Sequence, residues 1–299
     1  GLIFLSSYLF SRKISCISPK KSLSNYENYQ RVSRFYDHTR SAGGVEIIRK
    51  QLEDAEVPVN QQILVDAGCG TGLYSAALVK DVRRIEAVDM SREMLALARQ
   101  KMKTEDEINR INFHHSSIDS LPLDDNSADS VIINQVLHHL PDDTSHGWSN
   151  HANVFREFCR ILKSGGILII NSCSPEQIES GFWFYHLIPD AVQEMKQKVI
   201  SLSNLNNLLE DCGFTFPRQI VPEDLVLQGD AYFNADGIFD PDWRNGDSIW
   251  SIVSEDILAM VLNKVRDLRQ TGKLEAYIKQ QDQKRKTTGQ VTFSIARKI

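Results

Sequence analysis

Between residues 60 and 173 the chain repeats one rhythm: a short apolar run, a break, then a segment with apolar residues three and four apart. Gln62–Asp66 is such a run and ends at a glycine cluster, which predicts a buried strand. Leu73–Lys80 follows with helical spacing, and Arg84–Asp89 reads as a second strand. Ser91 can cap a helix whose Met94, Leu95, Ala98 and Met102 share one face. Ile111–His115 predicts a third strand, and Ser130–Asn134 a fourth after the turn-like Asp124-Asp-Asn-Ser127. Asn153–Leu162 predicts a helix stopped by Lys163-Ser-Gly-Gly166, and Ile167–Asn171 a fifth strand. Strands alternating with helices at this spacing imply an α/β, doubly wound fold with a mostly parallel sheet covered on both faces.

The flanks depart from this rhythm. Tyr26–Glu53 is helical in pattern but broken at Ser41-Ala-Gly-Gly44. After residue 173 come a helix-like aromatic stretch, Pro175–Ile200, a helix, Leu202–Asp211, and a strand, Gln219–Leu227. An insertion of about 60 residues, helical in pattern from Ser254 to Lys284, precedes a terminal strand, Gln290–Ala296. Residues 25–299 are expected to form one domain, with additions at about 175–200 and 228–288.

Composition narrows the class. Hydrophobic residues make up 41% and charged residues 24%, as in ordinary globular chains, and the formal charge is -5. The core has no basic run of the kind that binds nucleic acid, so no nucleic-acid partner is expected. Lys284-Arg285-Lys286 reads as a solvated helix end. The five cysteines form no CxxC pair, which favours a reducing compartment over a disulfide framework. Residues 1–24 have no Asp or Glu, four basic residues and seven serines, so they read either as an organellar transit segment or as a disordered tail. An intracellular protein, cytoplasmic or mitochondrial, without a membrane span is the expectation. Oligomeric state leaves no mark in the sequence.

The chemistry concentrates in Val65-Asp-Ala-Gly68-Cys-Gly70-Thr-Gly72, which follows the first strand and opens a helix. Its glycines let the backbone turn tightly and approach a ligand without Cβ clashes. A dinucleotide loop, GxGxxG, needs a glycine at position 73, where Leu73 stands; the spacing here is GxGxG. Asp66 is unfavourable beside a pyrophosphate but suits the ammonium of a methionine moiety, which points to S-adenosylmethionine (SAM). Asp89, 21 residues after Gly68, can accept both ribose hydroxyls; the competing reading is a solvated strand-end carboxylate.

These residues carry a resemblance. The glycine motif, Asp89-Met90-Ser91, Leu121-Pro-Leu-Asp-Asp-Asn-Ser-Ala-Asp129, Val136-Leu-His-His-Leu-Pro141 and Arg156-Glu-Phe-Cys-Arg-Ile-Leu-Lys-Ser-Gly-Gly166 occur in the order and spacing of the class I SAM-dependent methyltransferases. The chain most resembles those similar to quinone-biosynthesis (type 11) small-molecule enzymes. The resemblance implies a Rossmann-like seven-stranded sheet with an antiparallel last strand. It implies a SAM site formed by Asp66, Ala67, Gly68, Cys69, Gly70, Gly72, Asp89 and Met90, with Asn134 and Gln135 bordering the methionine and sulfonium. One position departs from the family. An acidic residue usually stands just before the Leu-Pro pair, near the adenine amino group, and here it is Ser117. Ser117 can accept that hydrogen bond more weakly, and Ile118 can pack on the adenine. A nucleobase amino-methylation signature, Asp/Asn-Pro-Pro-aromatic, is missing after the fourth strand.

The expected activity is methyl transfer from SAM to a small molecule by in-line displacement; the alternative is a non-catalytic SAM-binding assembly or regulatory factor. His114-His115 and His138-His139 are adjacent pairs, poor chelates on a strand, so no metal is expected. His138 or His139 as general base competes with a structural role, and Tyr36, in Tyr36-Asp-His38, resembles the family's covering segment over SAM. Trp183, Tyr185 and His186, in Gly181-Phe-Trp-Phe-Tyr-His-Leu-Ile-Pro189, are acceptor-wall candidates, with a core-packing helix face as the competing reading. In the insertion, Tyr232, Phe233, Phe239, Trp243 and Trp250 alternate with Asp230, Asp236, Asp240, Asp242 and Asp247. That pattern suits a lid over the acceptor or a small core of the cap's own.

Overall fold

The computed structural model describes residues 41–299. The segment 1–24, Cys16, and Tyr36 with its neighbours therefore lie outside the described residues. The elements in chain order are α1 (Val45–Glu53), β1 (Ile63–Ala67), α2 (Leu73–Leu78), β2 (Arg84–Asp89), α3 (Arg92–Lys101), α4 (Glu105–Asn109), β3 (Ile111–His115), β4 (Ala128–Asn134), α5 (Ser149–Ile161) and β5 (Leu162–Ser172). Then follow α6 (Pro175–Ser180), α7 (Pro189–Lys198), α8 (Leu202–Asp211), β6 (Arg218–Ile220), α9 (Pro241–Asn245), α10 (Glu255–Gln270), α11 (Leu274–Asp282), α12 (Arg285–Thr288) and β7 (Thr292–Arg297).

The strands form one seven-stranded sheet ordered β3-β2-β1-β4-β5-β7-β6. β1 to β5 pair in parallel, whereas β7 runs antiparallel to both β5 and β6. This is the Rossmann-like sheet, antiparallel at β7, that the resemblance implies. The chain order reverses between β1 and β4, so the carboxyl ends of these two strands flank the crevice where open α/β sheets bind ligands.

Alternation along the strands builds a core on each face. Leu64, Ile132, Ile167 and Ile169 join one apolar cluster, and Val65, Val131, Ile133, Leu168 and Ile170 the other. Local chemistry sets the helix starts. The Ser91 hydroxyl accepts the Met94 N–H at 3.2 Å, and Met94, Leu95 and Ala98 are buried as their spacing predicts.

Four expectations are corrected. Pro175–Ile200 is not one helix: Gly181 ends α6, a 3₁₀ turn occupies Trp183–Leu187, and Pro189 opens α7. The stop expected at Lys163–Gly166 lies inside β5, where pairing with β4 shifts register between Ala128 and Ser130. β6 ends at Ile220 rather than reaching Leu227; Pro222, which has no N–H to give a ladder, follows closely. The Lys284–Lys286 run is also not simply a solvated end, because Arg285 is buried and paired with Asp282 at 2.8 Å.

The insertion is part of the main core. Tyr232, Ile238, Trp243, Ile249, Trp250 and Val265 belong to the same cluster as Ile48, Leu64 and Ile85. Phe184 stands edge-on to Trp243, with ring centroids 4.9 Å apart.

Candidate active site

The loop between β1 and α2 is fixed by its neighbour β2. The amides of Gly68 and Cys69 both donate to the Val88 carbonyl, at 2.8 and 2.9 Å. Gly68, Gly70 and Gly72 all have positive φ (72°, 52° and 75°). Their reasons differ. A Cβ on Gly68 would lie 2.6 Å from Val136 Cγ2, and one on Gly72 2.8 Å from Ala98 Cβ, so these two permit close packing. A Cβ on Gly70 would meet nothing within 4 Å. Gly70 therefore faces open space, as a loop that cradles a ligand should.

Asp89 ties this loop down. Its carboxylate accepts the Gly70 amide and the Ser91 amide, each at 2.8 Å. Burial raises its pKa, and these backbone N–H groups hold it back. Asp66, at the end of β1, is fully enclosed and accepts the Ser75 hydroxyl at 2.6 Å. Burial pushes its carboxyl up to about 6; the Ser75 hydrogen bond opposes this, and the nearby Asp89 charge adds to it.

Asp66, Gly68, Cys69 and Gly70 line a cavity of about 510 Å³ together with Asn134 and Gln135. Both amide atoms of Asn134 are buried and have no hydrogen-bond partner among the described residues. Gln135 has φ 56°, a left-handed conformation that is costly for a side chain with a Cβ. Its amide donates to the Asn171 carbonyl at 2.8 Å, its Nε2 to Asn171 Oδ1 at 3.0 Å, and its Oε1 accepts the Cys173 thiol at 3.4 Å.

Gln135 and Leu227 also line a second, adjoining cavity of about 610 Å³. Its walls are mainly apolar, with Phe182, Met195 and Ile249 among them, and its polar groups include His138, Tyr185, Gln228 and Asp247. The Tyr185 hydroxyl donates to Asp247 at 2.8 Å.

The structure sorts the remaining sequence candidates. His138 lines the second cavity; His139 does not and is exposed. Tyr185 lines it, whereas Trp183 and His186 do not. Trp183 is completely buried, and its indole N–H donates to the Tyr232 carbonyl at 2.9 Å, so the core-packing reading holds for it. His186 is held partly buried, and burial lowers its pKa. Met90, at the end of β2, is 52% exposed. Ala67, Ile118 and Ser117 lie outside the linings of both cavities; Ala67 and Ile118 are buried in the core on one sheet face. Among the described residues no three His, Cys, Asp or Glu side chains gather as a metal site. Sequence reasoning missed Asn171, Leu227 and Gln228. Asn171 is legible in retrospect because it pairs in register with Asn134 on the next strand. Leu227 and Gln228 arrive through the fold alone.

The chain is similar to known proteins. The model of a methyltransferase domain matches residues 65–170. A demethylmenaquinone methyltransferase of Clavibacter sepedonicus is 30% identical over 176 residues, which span 58% of this chain and 67% of that protein. Another, from Listeria welshimeri, is 24% identical over 216 residues, spanning 64% of this chain and 88% of that one. A crystal structure of a putative methyltransferase from an antibiotic biosynthesis pathway of Anabaena variabilis superposes with a TM-score of 0.67 at 20% identity, covering 87% of this chain and 99% of that one.

Proposed function

Because the chain belongs to the class I SAM-dependent methyltransferases, we propose that the cavity at β1 and β4 holds SAM and the adjoining cavity holds a small-molecule methyl acceptor. The observation that carries this reading is Asn134. A buried amide with neither atom partnered costs on the order of 1–3 kcal/mol for each group left unmade, and a ligand with donors and acceptors of its own would recover it. The neighbouring residues fit the same ligand. Asp66 is an acceptor for an ammonium, and Gly70 leaves room for the ligand to approach the backbone; Asp89, like Gly72, lies outside the cavity lining, where its carboxylate holds the Gly70 and Ser91 amides and borders the place expected for the ribose.

SAM supplies a methyl carbon on a sulfonium, an electrophile that needs no further activation. The protein's work is therefore positioning and exclusion of water. Gln135, clamped between Asn171 and Cys173, forms part of the wall common to the two cavities. The mainly apolar walls of the second cavity keep water from the acceptor. His138 is the lining residue suited to take a proton from an acceptor that must lose one. His139, exposed and outside both linings, has no such place.

Calorimetry tests the donor site: SAM and S-adenosylhomocysteine are expected to bind with dissociation constants on the order of micromolar, and NAD(H) is expected not to bind. Transfer of labelled methyl from SAM into a metabolite extract tests turnover. Tight SAM binding with no labelled product from any extract would favour the assembly or regulatory reading instead.

A further inference from the structure

A chain of hydrogen bonds runs from the entrance of α1 to the wall that the two cavities share. The Tyr74 hydroxyl donates to the Gly43 carbonyl at 2.9 Å and accepts Asn171 Nδ2 at 3.1 Å. Asn171 Oδ1 accepts Gln135 Nε2 at 3.0 Å, and Gln135 Oε1 accepts the Cys173 thiol at 3.4 Å. Tyr74 lines the first cavity, Cys173 lines the second, and Gln135 lines both. Asn171, in the middle of the chain, is 1% exposed and lines neither.

The chain has a direction. A carbonyl can only accept, so the bond to Gly43 takes the Tyr74 hydrogen and leaves the hydroxyl oxygen to receive Asn171 Nδ2. Asn171 Oδ1 then faces Gln135 and calls for a donor, which places Nε2 there and turns Oε1 toward Cys173. Turning the Gln135 amide over would set oxygen against oxygen at Asn171, and turning Asn171 over would do the same at Tyr74. The backbone adds a second hold: the Gln135 amide donates to the Asn171 carbonyl at 2.8 Å, which supports the left-handed φ of 56°. Without these bonds an unbranched side chain has several rotamers open to it. Gln135 therefore takes its orientation from Asn171, and Asn171 takes its own from Tyr74.

That orientation bears on the reaction. Methyl transfer needs donor and acceptor aligned across the shared wall, and a misplacement of about 1 Å can cost about a hundredfold in rate. We propose that Asn171 is a positioning residue for methyl transfer, which touches neither ligand and acts by holding the Gln135 amide in one orientation between the two cavities. This inference rests on the assignment of the two cavities to donor and acceptor. The turn at Gly43 belongs to the same unit, since Ser41 lines the donor cavity and Gly43 anchors the far end of the chain.

The test is made on the full chain. Heat of S-adenosylhomocysteine binding and transfer of labelled methyl from SAM into a metabolite extract are recorded first for the parent. No heat, or no labelled product, removes the two-cavity assignment and this inference with it. Asn171→Leu, similar in size to the parent residue, is expected to lower transfer at saturating SAM by at least about tenfold, with S-adenosylhomocysteine affinity within about fivefold. A role in folding alone would lower the melting temperature and leave the transfer rate of the folded protein as it was. Tyr74→Phe removes one hydroxyl, two links away from Gln135. In heteronuclear NMR spectra the side-chain amide signal of Gln135, identified by its loss in Gln135→Glu, is expected to shift and to exchange faster with solvent in both variants. If Asn171→Leu fails to fold, Tyr74→Phe carries the test with the same readouts. Unchanged transfer by a folded variant, an equal loss of transfer and of S-adenosylhomocysteine affinity, or a Gln135 signal unmoved by Tyr74→Phe overturns the proposal.

Discussion

Asp66 is the residue whose environment makes the sharpest demand. The folded carboxyl titrates near 6, above the ordinary 3.8, chiefly because it is buried. Between those two values the folded protein holds more proton than the unfolded chain. Stability from this residue therefore falls as pH rises from about 4 to about 6, and above that the ionised group costs about 3 kcal/mol. A bound ammonium reverses the balance by favouring the carboxylate. S-adenosylhomocysteine binding near pH 6 is expected to release a proton, and its affinity to fall as pH drops below that value. Calorimetry in buffers of differing ionisation enthalpy measures the release, and an Asp66→Asn variant should abolish it. The glycines separate in the same way. Gly70→Ala places a left-handed alanine in open space, costing about 1–2 kcal/mol of stability, and should also weaken SAM because the methyl enters the cradle. Gly72→Ala has the same backbone cost plus a 2.8 Å approach to Ala98 Cβ, so its denaturation midpoint should fall further. Trp183 and Tyr185, neighbours in sequence, should part just as clearly. Trp183→Ala removes a fully buried ring and is expected to cost about 3–5 kcal/mol. Tyr185→Phe keeps the ring and removes only the hydroxyl that holds Asp247.

At the level of elements, one residue joins the aromatic turn to the insertion. The Tyr232 hydroxyl accepts the Trp183 amide at 3.1 Å and donates to Asp282, which in turn pairs with Arg285. Tyr232→Phe leaves the buried Trp183 amide without its acceptor and is expected to destabilise by about 1–3 kcal/mol in denaturant titrations, with SAM affinity within about threefold of the parent. This contact also marks the boundary of what the sequence discloses. The five parallel strands were legible as short runs with apolar positions between turn or helix signals, even where β2 and β3 carry Arg84, Glu86, Asn112 and His114. Asp66, Gly68, Cys69, Gly70, Asn134 and Gln135 were legible as cavity residues because they sit at the carboxyl ends of β1 and β4. Short capped helices were written in the sequence but went unread. Thr104-Glu-Asp-Glu107 forms a capping box that starts α4, and Ser174-Pro-Glu-Gln177 forms another that starts α6. Read with Gly181 and Pro189, the second box would have divided the 175–200 stretch correctly. Trp183 could not be told from a pocket residue, because aromatic content is the same for a wall and a core. Gln228 could not be found at all, since a lone glutamine carries no signal until the fold buries it.

The whole molecule decides how the acceptor enters. Sequence patterning allowed a lid that lifts away, or a cap with a core of its own. The insertion's rings share the main cluster rather than a core of their own, and that packing opposes lifting as a unit. Tyr232, Trp243, Ile249 and Trp250 pack in the cluster that also contains Leu64 and Ile85 of the central strands, with Phe184 within 4.9–6.3 Å of the Tyr232, Trp243 and Trp250 rings. Lifting residues 229–250 would expose several large buried side chains, each worth about 1.5–3 kcal/mol of burial, a sum comparable to the whole stability of a domain. Such an opening is close to global unfolding and too rare to serve each turnover. Any movement that admits the acceptor must therefore be smaller than the insertion. Native-state hydrogen exchange distinguishes these outcomes, because a segment that opens locally exchanges with a lower free energy than the core strands. The amides of Trp183 and Ile249, hydrogen-bonded to Tyr232 and Asp247, are expected to exchange with protection close to that of the β4 and β5 ladder. Protection at these two amides several kcal/mol below the strands, restored when S-adenosylhomocysteine and an acceptor are both bound, would reinstate a lid that opens as a unit. Under the docked arrangement, deleting 228–288 should abolish cooperative unfolding and SAM binding together, since the aromatic turn 183–187 would lose the helix α11 and the rings of Tyr232, Trp243 and Trp250 that pack against it.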